Sequence, residues 1–310
     1  MELNKIYQGD AYETLLTFES ESIDCVVTSP PYWNLRDYGV EGQIGLEFTI
    51  TEYIQKLRLV FNEVYRVLKK SGTCFINLGD TYNGSLKGEG CSNTDKLNIP
   101  IEAMPIENKK RIITNIPKKS LCHIPHRFAI SMIDNGWCLR NTIIWHKSNI
   151  MPESVRDRFT EDYEYVFFFV KNRQYYFEQQ FEPSIDPESY NGKRRRNPSS
   201  AYKTGDKFLS QNFWNLKGKK YPNRNKRCVW SIPTYPFKGS HFATFPENLI
   251  IPMIKSGCPK NGIVLDPFSG VATTCMVAKK LNRNYVGIEL NPKYIEMSEK
   301  RIDQECGTLL

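Results

Sequence analysis

Two short stretches of this chain combine residue types that chemistry needs. The first is Thr28-Ser29-Pro30-Pro31-Tyr32-Trp33, which follows the apolar run Ile23–Val27. Consecutive prolines fix the backbone, so the Pro30 carbonyl points in a set direction. Ser29 adds a hydroxyl and Tyr32 a flat aromatic face. An exocyclic amino group on cytosine or adenine is a poor nucleophile, because its lone pair is delocalised into the ring. Hydrogen bonds from that group to the Ser29 hydroxyl and the Pro30 carbonyl would draw the nitrogen toward tetrahedral geometry and free the pair for attack. Tyr32 would stack on the base once it is flipped from a duplex. Taken alone, the stretch reads equally well as a proline turn that ends a strand.

The second stretch is Leu265-Asp266-Pro267-Phe268-Ser269-Gly270-Val271-Ala272-Thr273-Thr274. A strand runs into a turn at Gly270, where a ligand can approach the backbone closely, and a helix opens at the threonines. About twenty residues on, the next strand ends in Gly287-Ile288-Glu289-Leu290-Asn291. An acidic side chain at that place can accept hydrogen bonds from both hydroxyls of a ribose. The loop is neither Gly-x-Gly-x-x-Gly nor a lysine-bearing phosphate loop. Asp266 would repel a pyrophosphate but suits the cationic amino group of a methionine moiety. A nucleoside joined to a zwitterionic tail describes S-adenosyl-L-methionine better than a dinucleotide.

The elements that must hold these loops alternate between strand and helix. Strands are expected at Leu3–Gln8, Ile23–Thr28, Thr73–Leu78, Leu139–Trp145, Tyr163–Val170, Ile263–Leu265 and Asn284–Glu289. Helices are expected at Ala11–Phe18, near Pro125–Asn135, at about Thr273–Leu281 and at Lys293–Gln304. The strongest helical pattern lies between them: Ile50, Ile54, Leu57, Phe61, Val64 and Leu68 share one face, Thr49 or Thr51 caps its start, and Lys69, Lys70 and Gly72 are expected to end it. Residues 81–120 break every period and are expected to form a mobile segment near the active face. The alternation predicts an α/β fold with a mostly parallel sheet, whose ligands bind at the carboxyl ends of strands.

Charge is concentrated in one place. From Pro187 to Cys228 twelve lysines and arginines face only Glu188 and Asp206, a net +10 that leaves about −2 for the rest of a chain of net +8. Tyr190, Tyr202, Phe208, Phe213, Trp214 and Tyr221 are interleaved with these charges. Such a block reads as a polyanion-binding surface rather than a solvated loop. The nine cysteines include no Cys-x-x-Cys pair, and Cys122-His123-Ile124-Pro125-His126 has no second cluster, so no metal is expected. No apolar run reaches the roughly 18 residues of a membrane span, and Met1–Lys5 has no leader pattern. Free thiols in a cytoplasmic protein are the expectation.

Together these motifs resemble the amino-methyltransferases of bacterial and phage restriction–modification systems. Their order, with the catalytic loop first, recognition segment in the middle and cofactor loop last, is that of the β class. The likeness covers nearly the whole chain. It implies an enzyme with Ser29, Pro30, Pro31 and Tyr32 as its catalytic motif. Asp266, Pro267, Phe268, Gly270 and Thr273 match the cofactor loop, and Glu289 with Asn291 the ribose site. Asp10, after Gly9, looks like the carboxylate that bonds the adenine amino group, and Thr244 and Phe245 belong to a segment beside the methionine moiety. Trp145-His146-Lys147-Ser148-Asn149 and Met151-Pro152-Glu153-Ser154 resemble a stretch near the target base.

The implied fold is the S-adenosylmethionine-dependent methyltransferase (Rossmann-like) sheet of seven strands. It has one antiparallel edge hairpin, partly supplied by Lys171–Phe177, and is circularly permuted around an inserted recognition segment. Residues 1–177 and 236–310 form the catalytic and cofactor halves, and 178–235 the recognition segment. Lys193, Arg194, Arg195, Arg196, Lys219, Lys220, Arg224 and Arg227 are its candidate contacts to double-stranded DNA. A cognate restriction endonuclease is a candidate partner, and monomer and homodimer are both open.

Cytosine C5 methylation needs a nucleophilic cysteine, in that family a Pro-Cys pair, and no such dipeptide occurs. Protein glutamine methyltransferases carry a similar Asn-Pro-Pro-Tyr loop but place the cofactor loop before it, whereas here it follows by some 235 residues. Ser-Pro-Pro-Tyr implies cytosine N4 in preference to adenine N6. A DNA-binding module without catalysis is the remaining alternative.

Overall fold

The structure is a computed structural model and describes residues 1–83, 116–150, 153–184, 223–234 and 245–306. Its first half contains β1 (Lys5–Gln8), α1 (Ala11–Leu16), β2 (Ile23–Thr28), α2 (Ile50–Val67), β3 (Leu68–Leu78), α3 (Ile124–Asp134), β4 (Cys138–His146) and β5 (Tyr163–Val170). Then come β6 (Phe181–Pro183), β7 (Asn223–Asn225), β8 (Val229–Ser231), α4 (Glu247–Gly257), β9 (Ile263–Asp266), α5 (Thr273–Lys280), β10 (Asn284–Glu289) and α6 (Pro292–Cys306).

Eight strands form one sheet in the order β1-β10-β9-β2-β3-β5-β4-β8. Only β5 runs against the others. β8 adds an eighth strand, parallel to β4, to the seven expected. Strand residues alternate between two apolar layers, as period-two geometry requires. In β2, Val26 packs with α1, α2 and α3, while Cys25 and Val27 pack with α4, α5 and Ile302 of α6. Burial on both faces is why these strands read as continuous apolar runs.

Two expectations are corrected. α2 does not end at a glycine cap: its C-cap, Leu68, is extended (φ −69°, ψ 134°), and the chain passes directly into β3. Lys69, Lys70 and Gly72 therefore lie in a strand, where Lys69 bonds Asp24 at 2.7 Å. No strand forms at Lys171–Phe177; the antiparallel pairing is made by β5 with β3 and β4. α4 lies in a stretch for which no element is expected, and it carries Pro252 in its interior. The start of α2 is as expected, with a capping box between Thr49 and Glu52.

Residues Gln179–Arg227 form a separate compact unit. In it β6 pairs with β7 antiparallel, and Arg224 donates to Glu182 at 2.8 Å. Lys193, Arg194, Arg195, Arg196, Lys219 and Lys220 lie outside the described residues, as do Thr244 and most of the expected mobile segment. Among the described residues no helix is long and apolar enough to cross a membrane. Nor does any group of three His, Cys, Asp or Glu side chains there suit a metal ion.

Candidate active site

Because β1, β2, β3, β9 and β10 are parallel, their carboxyl ends share one edge of the sheet. β5 is antiparallel, so its first residues reach the same edge. A cavity of about 950 Å³ opens there. Asp10, Ser29, Pro30, Pro31, Tyr32, Phe245, Pro267, Phe268, Gly270, Thr273, Glu289 and Asn291 all line it, so both chemical loops share one space.

The cofactor-loop candidate is built from two carboxylates. Glu289 accepts the Gly270 and Asn291 amides, each at 2.8 Å, one on each oxygen. Burial raises its carboxyl above the usual range, and those amides pull it back. Gly270 (φ 52°) and Ala272 (φ 58°) are both left-handed, which bends the loop into α5. From below, Ser298 donates to the Gly270 carbonyl at 2.9 Å, and Arg301 to the Val271 carbonyl at 3.0 Å. Asp10 caps α1 by accepting the Glu13 amide at 3.0 Å.

Asp266 departs from expectation. It is 1 % exposed and does not line the cavity. Its Oδ1 accepts the Thr28 hydroxyl at 2.6 Å and the Phe268 amide at 3.1 Å. Burial pushes its carboxyl up to about 6, against the hydrogen bonds from Thr28, Thr274 and Phe268. Here it staples the end of β9 to the end of the neighbouring β2. Ser269 supplies a polar group the sequence did not single out. Its hydroxyl is buried in the cavity wall with no hydrogen-bond partner.

The Ser29–Tyr32 loop is held as tightly. Tyr53 of α2 donates to the Pro31 carbonyl at 2.7 Å, and the Trp33 indole donates to the Glu47 carbonyl at 2.9 Å. The Tyr32 ring lies so close to Gly79 that a Cβ there would stand 2.7 Å from Cε2. Its phenol donates to Glu164 Oε2 at 2.7 Å and also lies 3.1 Å from Asn77 Oδ1. The phenol oxygen of Tyr32 is thus committed to Asn77 and Glu164, on β3 and β5, while the residue lines the cavity. Burial, then the neighbouring Glu164, raises its phenol well above the ordinary value.

Sequence reasoning passed over Asn77 and Glu164, and used Lys147 only within a stretch near the target base. All three line the cavity. Asn77 donates to Glu164 at 3.0 Å, and Lys147 pairs with the other Glu164 oxygen. A signal was present: Asn77 and Glu164 are lone polar residues in the apolar runs Cys74–Leu78 and Tyr163–Val170, where an unpaired polar group is costly.

A DNA methylase family model matches residues 23–300. The chain belongs to that family. Similar curated proteins include the type II methyltransferase M.Cfr9I of Citrobacter freundii, 38% identical, with 98% of this chain and 90% of that protein covered. M.SmaI of Serratia marcescens is also 38% identical, over 96% of this chain and 90% of its own length. Among solved structures, the cytosine-N4-specific PvuII DNA methyltransferase has the same fold, with a TM-score of 0.60 at 18% identity, covering 98% of this chain and 91% of that one. M1.HpyAVI, solved as a SAM complex, has a TM-score of 0.50 at 19% identity, covering 96% and 97%. In this DNA methylase chain the Ser29–Tyr32 loop and the Asp266–Thr273 loop, far apart in sequence, meet at one cavity.

Proposed function

We propose that this chain is a site-specific DNA methyltransferase that moves a methyl group from S-adenosyl-L-methionine to the N4 amino group of cytosine in double-stranded DNA. The observation that carries the reading is the shared cavity, with Ser29 and Pro30 on one wall and Phe268, Gly270 and Glu289 on another. Its volume of about 950 Å³ suits a nucleoside-sized ligand beside a base. The donor set fits that cofactor. Each Glu289 oxygen keeps a lone pair for a ribose hydroxyl, Asp10 offers a carboxylate for an amino group, and Ser269 has an uncommitted hydroxyl. When bound, the cofactor supplies an electrophilic methyl group on a sulfonium.

The chain's own residues do the rest. Ser29 and the Pro30 carbonyl accept hydrogen bonds from the amino group and localise its lone pair. Tyr53 and Trp33 keep that loop from shifting. The choice of cytosine rests on serine at position 29, and the cytosine-N4-specific name of the PvuII enzyme agrees with it. Residues 178–235, with the basic block, serve as the recognition segment. Since the relatives are type II methyltransferases, a cognate endonuclease is the expected partner.

DNA methylated by the purified protein, digested to nucleosides and analysed by mass spectrometry, is expected to contain N4-methylcytosine. N6-methyladenine alone would overturn the choice of base. Ser29→Ala is expected to bind cofactor normally by calorimetry yet lose turnover; full turnover would overturn the role given to the loop.

A further inference from the structure

A chain of hydrogen bonds leads away from the methyl-accepting loop. The Ser29 hydroxyl lies 3.5 Å from the Tyr32 phenol oxygen, oriented to donate to it, and that phenol donates to Glu164 Oε2 at 2.7 Å. All three residues line the cavity. Asn77 Nδ2 fixes the end of the chain, donating to the same Glu164 oxygen at 3.0 Å and to the Tyr165 carbonyl at 3.1 Å. Lys147 holds the other oxygen. Each donor in the series points toward Glu164, the direction a proton would travel.

The reaction has a proton to dispose of. As the amino nitrogen forms its bond to the methyl carbon, the carbon–sulfur bond breaks and sulfur keeps the electron pair. The nitrogen is left with a positive charge and one proton too many. Pro30 offers only a carbonyl and Ser29 a neutral hydroxyl, so neither retains that proton.

We propose that Glu164 is the residue that receives this proton, through Ser29 and Tyr32. The nitrogen's proton passes to Ser29 Oγ as the Ser29 proton passes to Tyr32 Oη and the Tyr32 proton to Glu164 Oε2. Ser29 and Tyr32 end as they began, and the carboxylate ends neutral. Its proton is then released to solvent, which restores the pair with Lys147. Neither Ser29 nor Tyr32 stands as an anion, in keeping with the buried phenol's resistance to ionisation. Glu164 acts through Tyr32 and is a positioning residue for the proton. This role rests on the amino-methylation reading above.

The test is single-turnover methylation of a DNA duplex by wild type, Glu164→Gln, Tyr32→Phe and the double variant, with cofactor and duplex affinities measured beside the rate. Glu164→Gln is expected to slow the step by about 100-fold. It should leave the affinities for cofactor and duplex unchanged, so that the loss falls on the chemical step alone. Tyr32→Phe should behave alike, and the double variant should be no slower than either single one. Glu164→Gln at the wild-type rate, an affinity loss as large as the rate loss, or losses that multiply in the double variant would each overturn the relay. Were Glu164→Gln to unfold without Lys147's partner, Tyr32→Phe carries the test, and a wild-type rate in it refutes the proposal. A dead Ser29→Ala beside a fully active Glu164→Gln discards the relay alone. A fully active Ser29→Ala discards the amino-methylation reading and the relay with it.

Discussion

The Thr28 hydroxyl donates a 2.6 Å hydrogen bond to Asp266 Oδ1 across 238 residues of chain. It ties the strand that presents Ser29 to the strand that presents Phe268 and Gly270. Thr28→Val keeps the shape and removes the donor from a fully buried carboxylate. It should cost about 2 kcal/mol in denaturant unfolding, as hydrogen bonds to charged groups do, and Thr28→Ser should recover most of it. Unchanged stability in Thr28→Val would show that the staple contributes nothing.

Asp266 also makes stability depend on pH. Burial lifts its carboxyl from 3.8 to about 6. The folded state therefore holds a proton that the unfolded state has already lost between those values. Stability from this group is fullest below about 4 and falls as pH rises through about 6. Asp266→Asn cannot ionise. In the cofactor-free protein the stability of wild type relative to Asp266→Asn should decline from about pH 4 to about pH 7 and then level off. A constant difference would mean that the carboxyl titrates normally.

Tyr53 makes a prediction about geometry without contact. Its phenol donates to the Pro31 carbonyl at 2.7 Å. Tyr53→Phe leaves that carbonyl short of a partner and should cost about 1 kcal/mol. Loosening the loop should slow turnover on the order of tenfold and leave cofactor affinity unchanged by calorimetry. An affinity loss as large as the rate loss would place Tyr53 in the cofactor site instead.

The Tyr32 phenol reports on Glu164 in the absence of any ligand. Burial is the larger cause of its raised value, and the Glu164 charge the next. Glu164→Gln should therefore lower the Tyr32 titration midpoint, read by NMR of labelled tyrosine, while burial keeps it above the ordinary phenol value. An unmoved midpoint would mean that the two groups are not coupled in solution.

The basic block is expected to act by charge. Replacing Arg194, Arg195 and Arg196 by serine should weaken DNA binding and flatten its dependence on log salt by about 0.9 for each phosphate that is no longer neutralised. Arg224→Ala should change the slope far less, because its guanidinium is already paired with Glu182. Equal slopes for wild type and the triple variant would remove these arginines from the interface.

Local pattern alone determined much of the molecule. Ile23–Thr28 and Tyr163–Val170 are the strands expected, and the apolar face of Ile50–Val67 is buried as its spacing requires. The two chemical loops lie in the cavity because strand-to-loop boundaries are marked by neighbouring residues, such as the prolines after Thr28 and the glycine after Ser269. Strand order was decided only by the tertiary structure. Glu164 meets Tyr32 because β5 inserts antiparallel beside β3, which brings its first residues to the carboxyl edge. Asp266 points down to Thr28 rather than into the cavity because β9 and β2 are neighbours. Such contacts join side chains more than a hundred residues apart, and no spacing along the chain records which strands will lie side by side.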